Sequence, residues 1–222
     1  MAPEGESMDT RPTEPPTRPL DEKNETALAQ AWNTYEAGEF ERTGREVERL
    51  MRRTKRHPEV RLLQAVLRLE AGQPAQALAD LDACAGATAD RPLLAFYRGL
   101  ALFDLARFEE AEAALQEAGV TVEPILIYHR AQVREHLGRF EEAEEDYRLA
   151  NEADPQEFPM PLRMTREEFR EVVVQAGDRL PDPVRERLNE VPVVVEDLPP
   201  PAILAESGDG IIGPDLLGLF VG

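Results

Sequence analysis

The residues that could do chemistry are few, and their spacing limits what chemistry is open to them. The only histidines are His57, His129 and His136. Two imidazoles that share a zinc ion on one helix sit four residues apart, with a glutamate between them as general base. His129 and His136 are separated by roughly 10.5 Å along a helix rising ~1.5 Å per residue, too far for one metal. The run from Gln132 to His136 is one residue short of an inverted His-x-x-Glu-His arrangement, because position 132 is Gln. Both histidines therefore read as groove or packing residues, and no metal ligand and no cofactor is assigned. Glu196 and Asp197 resemble a carboxylate pair, but neighbours on a strand point to opposite faces, so they read as a solvated strand end. Gly208-Asp209-Gly210 lacks the lysine and helix start of a phosphate cradle and reads as a turn. The lone Cys84 excludes an intrachain disulfide, fits a reducing cytoplasm and reads as a buried, inert thiol. No catalytic residue emerges.

Composition narrows the partners. Net charge is −19 over 222 residues, which argues against a general nucleic-acid binder. Eight basic residues (Arg42, Arg45, Arg49, Arg52, Arg53, Lys55, Arg56, Arg61) stand against four acids between Glu41 and Arg61. They read as a solvated helix face that offsets the acidic molecule, with an acidic-partner or nucleic-acid patch as the alternative. No run of apolar residues approaches the roughly 18–20 needed to span a membrane. The first residues, MAPEGESMDTRPTEPPTRPL, have no basic start followed by an apolar core, and their prolines and charges predict a disordered tail over 1–24.

The elements that must position anything functional show themselves as a repeat. AGEFERTGREV, AGQPAQALADL, LARFEEAEAAL and LGRFEEAEEDY each place a turn-forming pair before a marker residue and a small residue three positions later. The markers Phe40, Pro74, Phe108 and Phe140 are 34, 34 and 32 residues apart. Apolar residues recur at helical spacing on both sides of each turn, as with Ile127 and Ala131 before Gly138 and Ala143, Tyr147 and Ala150 after it. This pattern resembles the tetratricopeptide repeat, whose unit is two antiparallel helices. The resemblance covers residues 25–157 and implies a mainly α fold, a right-handed solenoid of four helical hairpins. It puts small packing residues at Ala31 and Thr43, Ala65 and Ala77, and Gly99 and Ala111, with Cys84 in another small packing position. In that family the first helix of each hairpin lines a peptide-binding groove. The groove candidates so implied are Trp32, Tyr35, Leu62, Val66, Leu69, Phe96, Leu100, Phe103, Tyr128, Gln132 and His136, an aromatic and apolar row that would bind another polypeptide. The alternative is that many of these side chains pack between neighbouring hairpins.

After Asp154 the texture changes. Phe158-Pro159-Met160-Pro161 predicts an extended linker over 158–163. Thr165 with Glu168 forms a capping box for a helix bearing Phe169, Val172, Val173 and Ala176 on one face, and Asp182-Pro183 starts a second helix. Val191 to Val195 and Leu216 to Val221 predict strands. The runs Leu180-Pro181, Asn189 to Pro199 and LLGLF are similar to the front half of a minimal zincin-like metallopeptidase domain found in many bacteria. The resemblance covers 164–222 and implies a small, truncated α+β segment. That family's zinc-binding His-Glu-x-x-His helix comes later and has no counterpart here, so no activity is expected of this chain. Two functions remain open: a non-catalytic protein-binding adaptor, or the front of a repeat-guided zinc metallopeptidase whose catalytic half lies downstream. An unpaired apolar strand at Leu216 to Val221 would also invite self-association.

Overall fold

The computed structural model describes residues 18–84, 91–119, 123–188, 194–200, 203–204 and 213–216. Eight helices form four antiparallel pairs: α1 (Glu22–Glu36) with α2 (Phe40–Arg53), α3 (Pro58–Glu70) with α4 (Pro74–Asp82), α5 (Arg91–Asp104) with α6 (Phe108–Ala118), and α7 (Pro124–His136) with α8 (Phe140–Ala153). Each second helix packs on the next first helix, and first helices also meet across hairpins, α3 with α5 and α5 with α7, which stacks the pairs into a solenoid.

Each marker residue is the first residue of a second helix. The turns before them use left-handed backbone at Gly38, Gly72, Ala106 and Gly138, with φ of 75°, 65°, 56° and 73°. Glycine enters this region freely, whereas Ala106 pays a steric penalty there. The small residues lie where the repeat needs them: Ala31, Thr43, Ala65, Ala77, Ala111, Ala131 and Ala143 are fully buried. At Gly99 a Cβ would stand 2.7 Å from Leu115 Cγ, so α5 and α6 approach too closely for any side chain.

The cores of neighbouring hairpins merge. One cluster joins Leu62, Leu81, Leu102, Leu115 and Val133 across α3 to α7, and another joins Leu28, Val47, Leu50, Leu63 and Val66 across α1 to α3. The fourth hairpin adds a buried ionic network, joined to the third hairpin through Glu112. Buried Asp146 accepts from Arg130 Nε and Nη2 and from Arg134 Nη1, each at 2.8 Å. Buried Glu112 accepts from Arg139 Nη1 at 2.8 Å and faces Arg134 Nε at 3.4 Å. Three of the eight basic residues pair locally, Arg42 with Glu39 and Glu46, Arg45 with Glu41, and Arg52 with Glu48.

Past the repeats several expectations need correction. Phe158 is not part of an exposed linker. It is buried against Ile127, Ala150 and Tyr128 and closes the last hairpin, while Asn151 Nδ2 donates to its carbonyl at 3.0 Å. Arg163 fixes the following residues by pairing with Glu135 at 2.5 Å and Glu144 at 2.9 Å across the Tyr147 ring. The capping box at Thr165 opens α9 (Arg166–Asp178) as expected. Then α10 (Asp182–Leu188) starts at Asp182-Pro183 as expected, its first amides reaching the Pro181 carbonyl, so Asp182 lies inside the first turn. No strand occurs among the described residues, so the α+β expectation for 164–222 gives way to a helix pair followed by irregular chain. Val194 and Val195, expected to end a strand, are irregular. A β-branched run has no stable sheet to join without neighbours to pair with. Consequently Glu196 and Asp197 do not diverge. Both reach Arg166, Asp197 through two bonds of 2.8 Å. The tail over 1–17, the strand start at 191–193 and the closing run 217–221 lie outside the described residues.

Two stability outcomes follow from this geometry. Ala106→Gly should stabilise the protein by about 1 kcal/mol in chemical denaturation by removing the left-handed penalty. A loss of stability would show that the Ala106 methyl contributes more than its backbone costs. Asp146→Ala should cost about 3 kcal/mol, because it strands Arg130 and Arg134 against a buried carboxylate's empty site. Arg148→Ala, at an exposed pair on the same helix, should change stability by about 0.5 kcal/mol or less. Equal losses would remove the distinction.

Candidate inner-face binding site

The first helices α1, α3, α5 and α7 supply one face of the array. On α5, Leu93, Phe96, Leu100 and Asp104 recur at intervals of three or four residues, so they share a line along the helix. Of the eleven groove candidates, Trp32, Tyr35, Leu69, Phe96, Leu100, Phe103, Tyr128, Gln132 and His136 are half-buried, whereas Leu62 and Val66 are buried in the two main core clusters. Leu62 and Val66 are therefore packing residues.

Several of the half-buried rings also pack between hairpins. Phe96 stands 5.3 Å from Tyr97 and 5.8 Å from His129 between ring centres. Tyr128 lies 5.2 Å from Tyr147 and 5.5 Å from Phe158. His136 stacks on Phe108 at 4.4 Å, nearly parallel, with Phe103 edge-on at 5.5 Å. His129 Nδ1 is 2.8 Å from Gln132 Oε1. The two histidines are wedged between repeats three and four, and burial holds both imidazoles below their ordinary pKa, opposed by the Gln132 bond at His129 and by Glu135 at His136. Leu100 is the half-buried apolar candidate that joins no core cluster, which leaves it as the freest apolar side chain of the row.

One feature of the face went unnoticed in the sequence although its signal is there. Glu36, Glu70 and Asp104 are the last residues of α1, α3 and α5 and are spaced at 34-residue intervals. With His136 in the same place on α7, they form a row along one edge of the inner face. Tyr35 donates to Glu70 Oε1 at 2.6 Å and links the first two hairpins. Burial, then the Glu70 carboxylate, holds the Tyr35 phenol well above its ordinary range, and Tyr97 is raised by burial and the same carboxylate. The polar edge is therefore acidic with neutral phenols beside it.

Cys84 is fully buried, its thiol donating to the Pro58 carbonyl at 3.4 Å and pushed up to about 12 by burial. It is an inert packing residue. Among the described residues no group of three or more His, Cys, Asp or Glu is placed to hold a metal ion. Among them, too, no helix is long and apolar enough to cross a membrane.

The tetratricopeptide repeat profile matches residues 126–157. The fourth hairpin is a tetratricopeptide repeat. The three before it share its helix–turn–helix order, turn geometry and small-residue positions. Among solved structures, the MamA RS-1 ArsTM double mutant aligns over 62% of this chain and 78% of that one, with 15% identity and a TM-score of 0.50, a likeness of fold. MamA AMB-1 aligns over 59% of this chain and 73% of that one, with 26% identity and a TM-score of 0.46. A search of curated proteins returns no match. Nothing in these comparisons supports the metallopeptidase likeness of residues 164–222.

The buried histidines make the third interface acid-sensitive. A His whose folded pKa is depressed binds fewer protons folded than unfolded, so its stabilising contribution is present above about pH 6.5 and is lost as pH falls below it. Denaturant melts at pH 7.5 and 5.5 should show a larger loss for the native chain than for His129→Gln/His136→Phe, which keeps the stacking partner without the charge. Identical losses would mean that neither imidazole titrates in that window.

Proposed function

We propose that the repeat array is a polypeptide-binding module whose inner face takes an apolar segment bearing Lys or Arg side chains. The observation that carries this reading is the row of carboxylates at Glu36, Glu70 and Asp104. An acidic side chain at the C-terminal end of a helix opposes the helix dipole, typically by ~0.3–1 kcal/mol, so three in register run against local stability. Among the described residues Glu70 is eased only by the Tyr35 hydroxyl, and residues that break a local rule tend to mark functional sites. A ligand cation placed along that edge would complete each helix end and neutralise the carboxylate. The half-buried apolar strip beside it, centred on Leu100, would take the ligand's hydrophobic side chains. The net charge of −19 favours the same class of partner.

The metallopeptidase reading rests on the sequence runs from Met164 onward and on α9 and α10 forming where two helices were expected. It has no catalytic residue to act through in this chain. The DNA downstream of codon 222, read for a His-Glu-x-x-His helix, tests it, and the absence of that motif in every frame removes it.

Selection of peptides from a random library on the immobilised chain should enrich Lys and Arg spaced among apolar residues. Leu100→Glu should weaken capture of the selected peptides at least tenfold, and Glu36→Lys/Glu70→Lys should turn the preference toward acidic peptides, with helical circular dichroism unchanged. Phe96 and Tyr128 are poorer test positions, because truncating either also loosens packing between hairpins. Selected peptides without a charge preference, or capture indifferent to Leu100→Glu, would overturn the proposal.

A further inference from the structure

The residues that follow α10 return to the array. Ile203 and Leu204 form a helical turn, with both amides directed at the Pro200 carbonyl. Leu204 is only 4% exposed and belongs to the central core cluster, whose half-buried margin includes Trp32, Leu69, Phe96 and Phe103 of the inner face. Farther along, Pro214 is buried, and the Leu216 amide donates to the Gly213 carbonyl in a tight turn. Asp215, next to Pro214, lies within electrostatic range of Asp104, the last residue of α5 and the innermost carboxylate of the acidic row. Burial first, and Asp215 second, push the Asp104 carboxyl up to about 6. The chain's own C-terminal segment thus sits where a ligand would sit.

Its charge is wrong for that place. From Pro200 to Gly222 there is no Lys or Arg, while Glu206, Asp209 and Asp215 are acidic. The apolar half of the binding requirement is met by Leu204 and Pro214, but the carboxylate row receives another carboxylate.

Resting on the binding function proposed above, we propose that residues 203–204 and 213–216 act as an intramolecular pseudo-ligand: Leu204 and Pro214 cover part of the inner face, and the charge mismatch at Asp215 lets a cationic partner displace them. A tethered segment competes at an effective concentration of roughly millimolar, so even weak docking excludes poor ligands. A partner that presents Lys or Arg at the place of Asp215 replaces a repulsion with an attraction and wins the exchange. The device therefore sharpens selection for basic segments, because specificity is a difference between competing affinities.

The test uses the full chain and a labelled synthetic peptide with the sequence of residues 200–216. Leu204→Asp and, as a milder second variant, Leu204→Ser should release the tethered segment while leaving the eight repeat helices intact by circular dichroism. Either variant should bind the peptide at least tenfold more tightly than the native chain. The peptide carrying Asp215→Lys should bind the released chains about tenfold more tightly than the unmodified peptide, and Asp104→Lys in the chain should reverse that order. In parallel, Asp104→Cys/Asp215→Cys should be joined by a short bis-maleimide much faster in the folded chain than in urea, with buried Cys84 as a silent background. Equal peptide affinity for native and released chains, no peptide binding to any chain, or cross-linking no faster when folded would each overturn the proposal. The two proposals fail separately. Library peptides that bind native and Leu204→Asp chains alike would retain the groove and remove the pseudo-ligand. Rapid cross-linking with no library binder would do the reverse.

Discussion

The distance between the two helices of a hairpin governs everything else in this molecule. Helix axes approach to about 8 Å only where small residues meet, and each hairpin supplies such residues from both helices. Gly99 is the extreme case, with Leu115 filling the space a methyl would need. Close pairing turns the remaining apolar side chains outward along the stack, where the neighbouring hairpin buries them. The same close pairing keeps the first helices in line. Glu36, Glu70 and Asp104 share an edge because each stands five residues after a small contact residue, Ala31, Ala65 and Gly99. The acidic edge is a by-product of the packing register.

That register explains why the repeat was legible. A turn-forming pair, a marker and a small residue carry most of the geometry in a few positions, and all four markers begin a helix. Even the third unit, with Ala106 in place of glycine, keeps the left-handed turn, so packing around it overrides the residue's own preference. The acidic row was legible too, since it has the period of the repeat. It was overlooked because attention to apolar groove positions passes over the last residue of each helix.

Other features were hidden for physical reasons. Asp146 and Glu112 look like ordinary solvent-facing acids in strings such as FEEAEEDY and FEEAEAAL. Their burial depends on three arginines arriving from α7 and the turn before α8, a tertiary fact without local signature. Val194 and Val195 failed differently, since β propensity measures fit to a sheet surface and no sheet is present to provide one among the described residues. Phe158 was read through its neighbouring prolines, which do restrict the backbone but say nothing about the exposed end of a stack that needs an apolar cover.

That need for a cover connects the two ends of the argument. A solenoid exposes its terminal repeats and its inner face, and this chain treats them differently. The end of the fourth hairpin is closed by Phe158 and clamped by Arg163 across Glu135 and Glu144, with opposite charges matched. At the inner face Leu204 joins the central core and Pro214 is buried, while like charges are opposed at Asp104 and Asp215. Beyond the clamp, α9 buries no side chain and leaves Phe169 43% exposed, so it adds little apolar burial to hold the returning segment. A permanent seal and a removable one demand different electrostatics. Matched pairs raise the cost of leaving, while apposed carboxylates lower it, at equal apolar burial. The contrast within one short chain is the physical basis for proposing the inner face as the exchangeable surface.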